Sequence, residues 1–226
     1  MSAIKRVLVT VSGAALTGTV LVGPAAAAED KGLTAPARST AATAGACTGA
    51  FEGNPLLGPE TNTLPKAEEK PVGPLLVGYQ RTGKLSSADF LKKYEEPGKG
   101  WKYPPNDGFA TKGGKIDKNE TTLKAGQLLD RFGGEGGTFL APAGAKYGAR
   151  ALPPNNLNTQ DPKSPCNYHT YKVLKPFKVW QGGIAPWFEQ AGGGQQILLD
   201  PKLQPVGPGE RLSVAWLVEK KFLARA

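Results

Sequence analysis

The chain has 226 residues, and its 28 lysines and arginines outnumber its 19 aspartates and glutamates, giving a formal net charge of +9. That excess suits a phosphate-bearing ligand or an anionic surface without choosing between them. It is not laid out as a lysine/arginine stripe with interleaved aromatics, so no nucleic-acid partner is expected. Two cysteines and one histidine are too few for a cysteine/histidine zinc centre, and no metal is expected.

Lys5 and Arg6 precede an apolar run of small residues from Val7 to Val22, and Ala26-Ala27-Ala28 supplies a small-x-small cleavage pattern. Residues 1–28 read as a secretory signal peptide, too short and too rich in alanine and glycine for a membrane anchor. The mature chain is expected to be secreted, extracellular and free of the membrane, with about 200 residues, enough for one substantial core. Residues 29–46, rich in Ala, Thr, Gly and Pro, read as a flexible linker.

Cys47 and Cys166 both follow the export signal, and in an oxidising compartment a single disulfide between them is the natural reading. It would tie the amino-terminal segment to the main domain. From Cys47 to Pro74, glycine and proline punctuate the chain, which should wrap over a neighbour. Leu75–Tyr79 predicts a short strand. Ser86 caps a helix carrying Phe90, Leu91 and Tyr94 on one face, stopped by Pro97-Gly98. The aromatic stretch Trp101–Gly114 reads as a loop plugging the core edge. Asn119-Glu120-Thr121 fits the N-glycosylation pattern.

Thr122–Phe132 and Thr138–Ala141 predict strands joined by Gly133–Gly137. Tyr168–Leu174, Phe177–Trp180 and Ile197–Leu199 predict three more. Ser213 opens a last helix with Val214, Leu217, Val218 and Phe222 near one face and Lys220-Lys221 at its carboxyl end. The sum is an α+β protein: a compact, strand-rich, mainly antiparallel catalytic domain over 114–226, with a small helical and loop subdomain over 47–113 packed on it.

Chemistry concentrates between Leu128 and Asn156. Arg131 and Arg150 bracket a glycine-dense loop that also carries Phe132 and Phe139. Arginine offers phosphate a planar fork of donors, and phenylalanine offers a face for a flat ring. A hairpin with solvated arginines is the plainer reading of the same residues. There is no Gly-x-x-x-x-Gly-Lys-Ser/Thr loop, and Gly192-Gly193-Gly194 lacks the spacing of a dinucleotide fingerprint. No Gly-x-Ser-x-Gly elbow is present. His169, alone inside a strand pattern, reads as structural before catalytic.

A set of short motifs then occurs in order: Leu-Asp-Arg-Phe-Gly-Gly at 129–134, Gly-x-Phe-Leu-x-Pro at 137–142 and Tyr-x-x-Arg-Ala-Leu-Pro-Pro at 147–154. Val-Leu-Lys-Pro-Phe-x-Val at 173–179, Ile-Ala-Pro-Trp-Phe at 184–188 and Gly-Gly-Gly-x-Gln at 192–196 follow. Together they resemble the TNT domain family, named for the tuberculosis necrotizing toxin, whose members are NAD glycohydrolases. Cys47, Leu-Leu-Val-Gly-Tyr at 75–79 and Trp-Lys-Tyr-Pro-Pro at 101–105 resemble the secreted surface NADases of filamentous fungi in that family.

The resemblance implies a role for each matching position. Arg131 and Arg150 should face the pyrophosphate and ribose of NAD, Phe132 and Phe139 the nicotinamide, and Gln196 should be catalytic together with Arg150. His169 lies near a histidine implicated in the toxin, and Trp187 either lines the pocket or belongs to the core. NAD or NADP would be the substrate, and no cofactor is implied. An immunity protein and a homodimer are partners the family suggests. No calcium site is expected, since no acidic cluster stands near the carboxyl end.

The nicotinamide of NAD is already a pyridinium cation, so it departs neutral, without the acid that ordinary glycoside cleavage requires. A neutral Gln196 could orient water or the ribose hydroxyls. Asp130, Glu135 and Glu189 are the carboxylates on hand to activate water. Two alternatives stand beside the hydrolase: an ADP-ribosyltransferase toxin, whose usual Gln/Glu-x-Glu turn is replaced here by Gly-Gln-Gln, and a secreted module that binds NAD without turning it over.

Overall fold

Two-residue alternation of apolar and polar side chains decides which face of the sheet becomes core and which becomes cavity. The computed structural model describes residues 45–226; the signal peptide over 1–28 and nearly all of the linker over 29–46 lie outside the described residues. In chain order the elements are α1 (Gly73–Leu76), α2 (Ser87–Tyr94), the ribbon β1 (Glu95–Glu96) and β2 (Gly100–Trp101), and a second ribbon β3 (Thr111–Lys112) and β4 (Lys115–Ile116). Then come β5 (Asn119–Leu123), β6 (Leu128–Phe132), β7 (Phe139–Pro142), β8 (Tyr168–Val173), β9 (Phe177–Gly183), β10 (Gln195–Leu198), α3 (Val214–Glu219) and β11 (Leu223–Arg225).

Seven strands form one antiparallel sheet in the order β11-β8-β6-β7-β10-β9-β5. On one face Leu129, Leu140, Tyr171, Val179 and Ile197 pack under Val214, Trp216 and Leu217 of α3. Ser213 caps α3 by accepting from Trp216 N. The neighbours of those strand residues, Asp130, Phe132, Phe139 and Gln196, therefore point to the opposite face. There the amino-terminal segment closes over the sheet with two smaller clusters. Cys47, Val72, Leu75, Phe132, Tyr147, Leu157 and Cys166 form one, and Leu57, Phe90, Tyr94 and Phe188 form the other. Cys47 and Cys166 are joined in a disulfide across 119 residues of sequence, both fully buried.

The helix after Ser86 forms with the expected cap: Ser86 Oγ accepts from Asp89 N, and Phe90 and Tyr94 are buried. Three expectations need correction. Leu75–Tyr79 is not a strand: Gly73-Pro74 starts a single helical turn, and Gly78, at φ 83°, ends it. Thr122–Phe132 is not one strand, because a turn at Lys124–Gln127, with Gly126 at φ 91°, splits it. The first half, β5, is sent to the sheet edge beside β9, and the second, β6, lies inside between β8 and β7. Trp101–Gly114 is not a bare loop, since it holds the last residue of β2, the 3-10 turn Asn106–Gly108 and β3.

Candidate active site

The polar face of β6, β7 and β10 floors a cavity of about 430 Å³, within the range of small-ligand sites, roughly 300–1,000 Å³. Its walls come from Tyr103–Gly108, Arg150–Pro153 and the segment after β9. Backbone bonds pin those walls: Ala185 N donates to Gly108 O at 2.9 Å, and Gly194 N donates to Ala149 O at 2.9 Å. Gly194 has to be glycine for that approach, since a Cβ there would sit 2.6 Å from Ala149 O.

Arg131, Phe132, Phe139, Arg150 and Gln196 all line this cavity, although they come from three strands and a turn. Arg131 closes β6, and its guanidinium hooks back so that Nε donates to Gly133 O and Gly134 O at 3.1 and 2.9 Å, and Nη1 to Phe139 O at 2.6 Å. Space for it exists because residue 137 is glycine: a Cβ there would lie 2.1 Å from Arg131 Nη2. Burial lowers the pKa of Arg131 from its ordinary value, yet a guanidinium stays charged in a protein. Among the described residues it makes no ion pair with a carboxylate, so its charge is available to an anion.

Arg150 is differently placed. Its Nη1 lies 2.6 Å from Asp130 Oδ1 and its Nη2 donates to Asp130 Oδ2 at 2.8 Å, with side-chain exposures of 4 % and 0 % for the pair. Nε and Nη2 also donate to Ala145 O. Asp130 Oδ2 accepts further from Tyr168 Oη and Gly144 N, each at 2.9 Å. Burial, and then the Asp130 charge, push the Tyr168 hydroxyl pKa up. Asp130 and Arg150 are thus a buried ion pair under the cavity, and the Arg150 guanidinium lies 5.2 Å from the Phe132 ring centroid. Phe132 is 2 % exposed and packed edge-on to Tyr147, whereas Phe139, 37 % exposed, presents a ring to a ligand.

Gln196 is nearly buried, and its Nε2 donates to Asp107 O at 2.9 Å. A carbonyl can only accept, so this contact fixes the amide group with Oε1 turned away from Asp107 O and free to accept a ligand proton. The residue it leans on is strained: Asn106 and Asp107 both adopt left-handed backbone, at φ 57° and 56°, a region that non-glycine residues occupy at a cost.

Two candidate residues lie elsewhere. His169 is not in this cavity; it stands on the other face of β8 from Tyr168, with Nδ1 3.4 Å from Ser164 Oγ and Nε2 3.3 Å from Asn167 Oδ1. Desolvation lowers its pKa. Trp187 does not line the cavity either: its Nε1 donates to Lys102 O at 2.7 Å and its ring packs against Tyr94, so it braces the wall from behind. Glu135 and Glu189 are also outside, the first bound by Arg225 and Tyr171, the second by Lys93 and Tyr94. Sequence reasoning missed the wall Tyr103, Pro104, Asp107 and Gly108, which it took for a core plug. Its visible signal was the density of turn formers, Pro-Pro-Asn-Asp-Gly, directly after an aromatic.

Among the described residues no group of three or more His, Cys, Asp and Glu side chains could hold a metal ion, and no helix is long and apolar enough to cross a membrane.

Residues 122–226 match the model of the family described as Tuberculosis necrotizing toxin. The chain is similar to the conidial surface nicotinamide adenine dinucleotide glycohydrolase nadA of Aspergillus fumigatus, at 49% identity over 155 residues. That alignment takes in 65% of this chain and 62% of the relative's length. Among solved structures, the tuberculosis necrotizing toxin complexed with its immunity factor aligns at a TM-score of 0.47 and 23% identity, over 62% of this chain and 71% of that one.

Proposed function

We propose that the protein is a secreted NAD(P) glycohydrolase, releasing nicotinamide and ADP-ribose, a reading supported by the match of residues 122–226 to the model of the family described as Tuberculosis necrotizing toxin. The observation that carries the reading is one cavity holding an arginine fork without a counter-ion, an exposed phenylalanine ring and a glutamine with a free oxygen. Arg131 meets the pyrophosphate with a charge-assisted fork. Phe139 stacks on the nicotinamide. Gln196 Oε1 accepts from a ribose hydroxyl or from the attacking water, and the Asp130–Arg150 pair holds the floor rigid beneath them.

Cleavage then needs little proton chemistry. As the C1′–N bond breaks, its electron pair neutralises the pyridinium nitrogen, and positive charge develops on the ribose. The site contributes position and a water-poor surround more than acid catalysis. Secretion is supported by the leader-like first 28 residues and by the closed disulfide, a bond that persists in oxidising compartments. An immunity protein and a second copy of the chain are partners suggested by the family resemblance, and NAD is substrate, with no cofactor required.

The test is release of nicotinamide and free ADP-ribose from NAD by the purified, oxidised protein, with Arg131→Ala and Gln196→Ala beside it. Release by the wild type, with large losses in both folded variants, supports the hydrolase. ADP-ribose appearing on protein instead would mark a transferase. NAD binding by calorimetry without nicotinamide release would mark a binding module.

A further inference from the structure

Water has to lose a proton as it bonds to C1′, and none of the three carboxylates foreseen for that task is free to take it. Glu135 and Glu189 lie outside the cavity, the first bonded to Arg225 and Tyr171, the second through Oε1 to Lys93 and Tyr94. Asp130 is in the floor, but it is fully buried and its oxygens are held by Arg150, Tyr168 and Gly144.

One other acidic side chain lines the cavity. Asp107 sits in the wall, with 56% of its side chain exposed, and only its Oδ2 has a partner among the described residues, Lys118 Nζ at 3.3 Å. Its own carbonyl holds Gln196 Nε2, so residue 107 and the Gln196 amide meet at one point of the cavity wall. That point is also where the backbone is strained, at two consecutive non-glycine residues with positive φ. Left-handed backbone in a turn is satisfied by glycine or asparagine at least as well, so the fold alone does not require an aspartate. Residue 107 precedes the family-matched region, 122–226.

Building on the hydrolase reading above, we propose that Asp107 is the general base of the reaction. The C1′–N bond breaks with its electron pair going to nicotinamide. The water oxygen forms the new bond to C1′, and the proton it loses passes to the Asp107 carboxylate and then to solvent. Gln196 orients the same water. Lys118, 3.3 Å from Oδ2, holds the carboxylate turned along the wall.

The test uses the full, oxidised protein with NAD as substrate and the variants Asp107→Asn and Asp107→Gly, both residue types at ease with left-handed backbone. Each keeps the carbonyl that seats Gln196. General-base removal is expected to lower kcat by about 100-fold or more, with KM changed by less than about threefold. Azide, an anion that needs no base, should restore turnover to the glycine variant and yield ADP-ribosyl azide, while leaving Gln196→Ala and the wild type unaccelerated. Wild-type-like kcat in Asp107→Asn overturns the role. So does a loss that azide cannot rescue, which would reduce residue 107 to a support for Gln196. A folded wild type that releases no nicotinamide overturns the hydrolase reading and this role with it, and is told apart by the wild-type control.

Discussion

Replacing Arg150 with methionine tests whether that arginine is a support or a free ligand group. The substitution keeps most of the volume and removes the charge. Asp130 would retain Tyr168 Oη and Gly144 N but lose both Nη contacts, in a place where its own side chain has no exposure. Breaking one side of a buried pair costs about 3–5 kcal/mol. For a chain of this size each kcal/mol shifts Tm by about 2–4 °C, so a fall of roughly 6–20 °C is expected. Urea unfolding of the oxidised protein, with the m-value checked for constancy, measures the loss directly. Asp130→Asn/Arg150→Met should recover part of it, because the stranded charge is gone. A loss under about 1 kcal/mol would refute the reasoning and return Arg150 to the substrate, as the family resemblance has it.

Other consequences can be checked alongside. Gly137→Ala places a methyl group where Arg131 Nη2 now lies; with the fold intact, KM for NAD should rise about tenfold or more while kcat changes little. Cys47→Ala/Cys166→Ala opens a 119-residue loop, and the chain-entropy model puts the cost at about 5 kcal/mol, with about 2 as the lower bound from comparable proteins; thermal unfolding with and without reductant measures it. Glu135 has its pKa lowered below 4.5, first by the Arg225 hydrogen bond. Its contribution is thus present above that pH and lost as pH falls through the depressed value. The Tm gap between wild type and Glu135→Gln should be constant near neutrality and narrow below pH 4.5; a gap that widened with acid would contradict the sign.

Much of this was legible in the chain. Alternation in Leu-Leu-Asp-Arg-Phe separates core Leu129 from Asp130 and Phe132 by simple strand geometry, and the Ser86 and Ser213 caps were visible as hydroxyls ahead of apolar faces. The five cavity residues taken from the motifs do converge. The misplaced ones failed for physical reasons. His169 pairs with Arg131 across β8 and β6 but is held by Ser164 and Asn167 outside the cavity, and the direction of a tryptophan after Ala-Pro depends on a hydrogen bond to Lys102 that no local pattern announces. The Asp130–Arg150 pair was also hidden, since both looked like ligand groups until tertiary packing joined them. The break at Lys124–Gln127 escaped because only Gly126 marks it within an otherwise strand-like run. Asp107 was overlooked since its segment reads as a plug until the sheet is folded beneath it.

The sheet order carries a consequence in time. β6 waits for β8, β7 waits for β10, and β5 and β9, though distant in sequence, meet only at the far edge. Pairings between remote segments are slow to nucleate, because loop closure is unfavourable until they are made. Gln196 reaches its place only when β10 inserts between β7 and β9, and Asp107 reaches it only when Gly108 has bonded Ala185. The cavity is therefore among the last features to appear. On the hydrolase reading, a chain that has not yet completed this sheet has no site at which to cleave NAD.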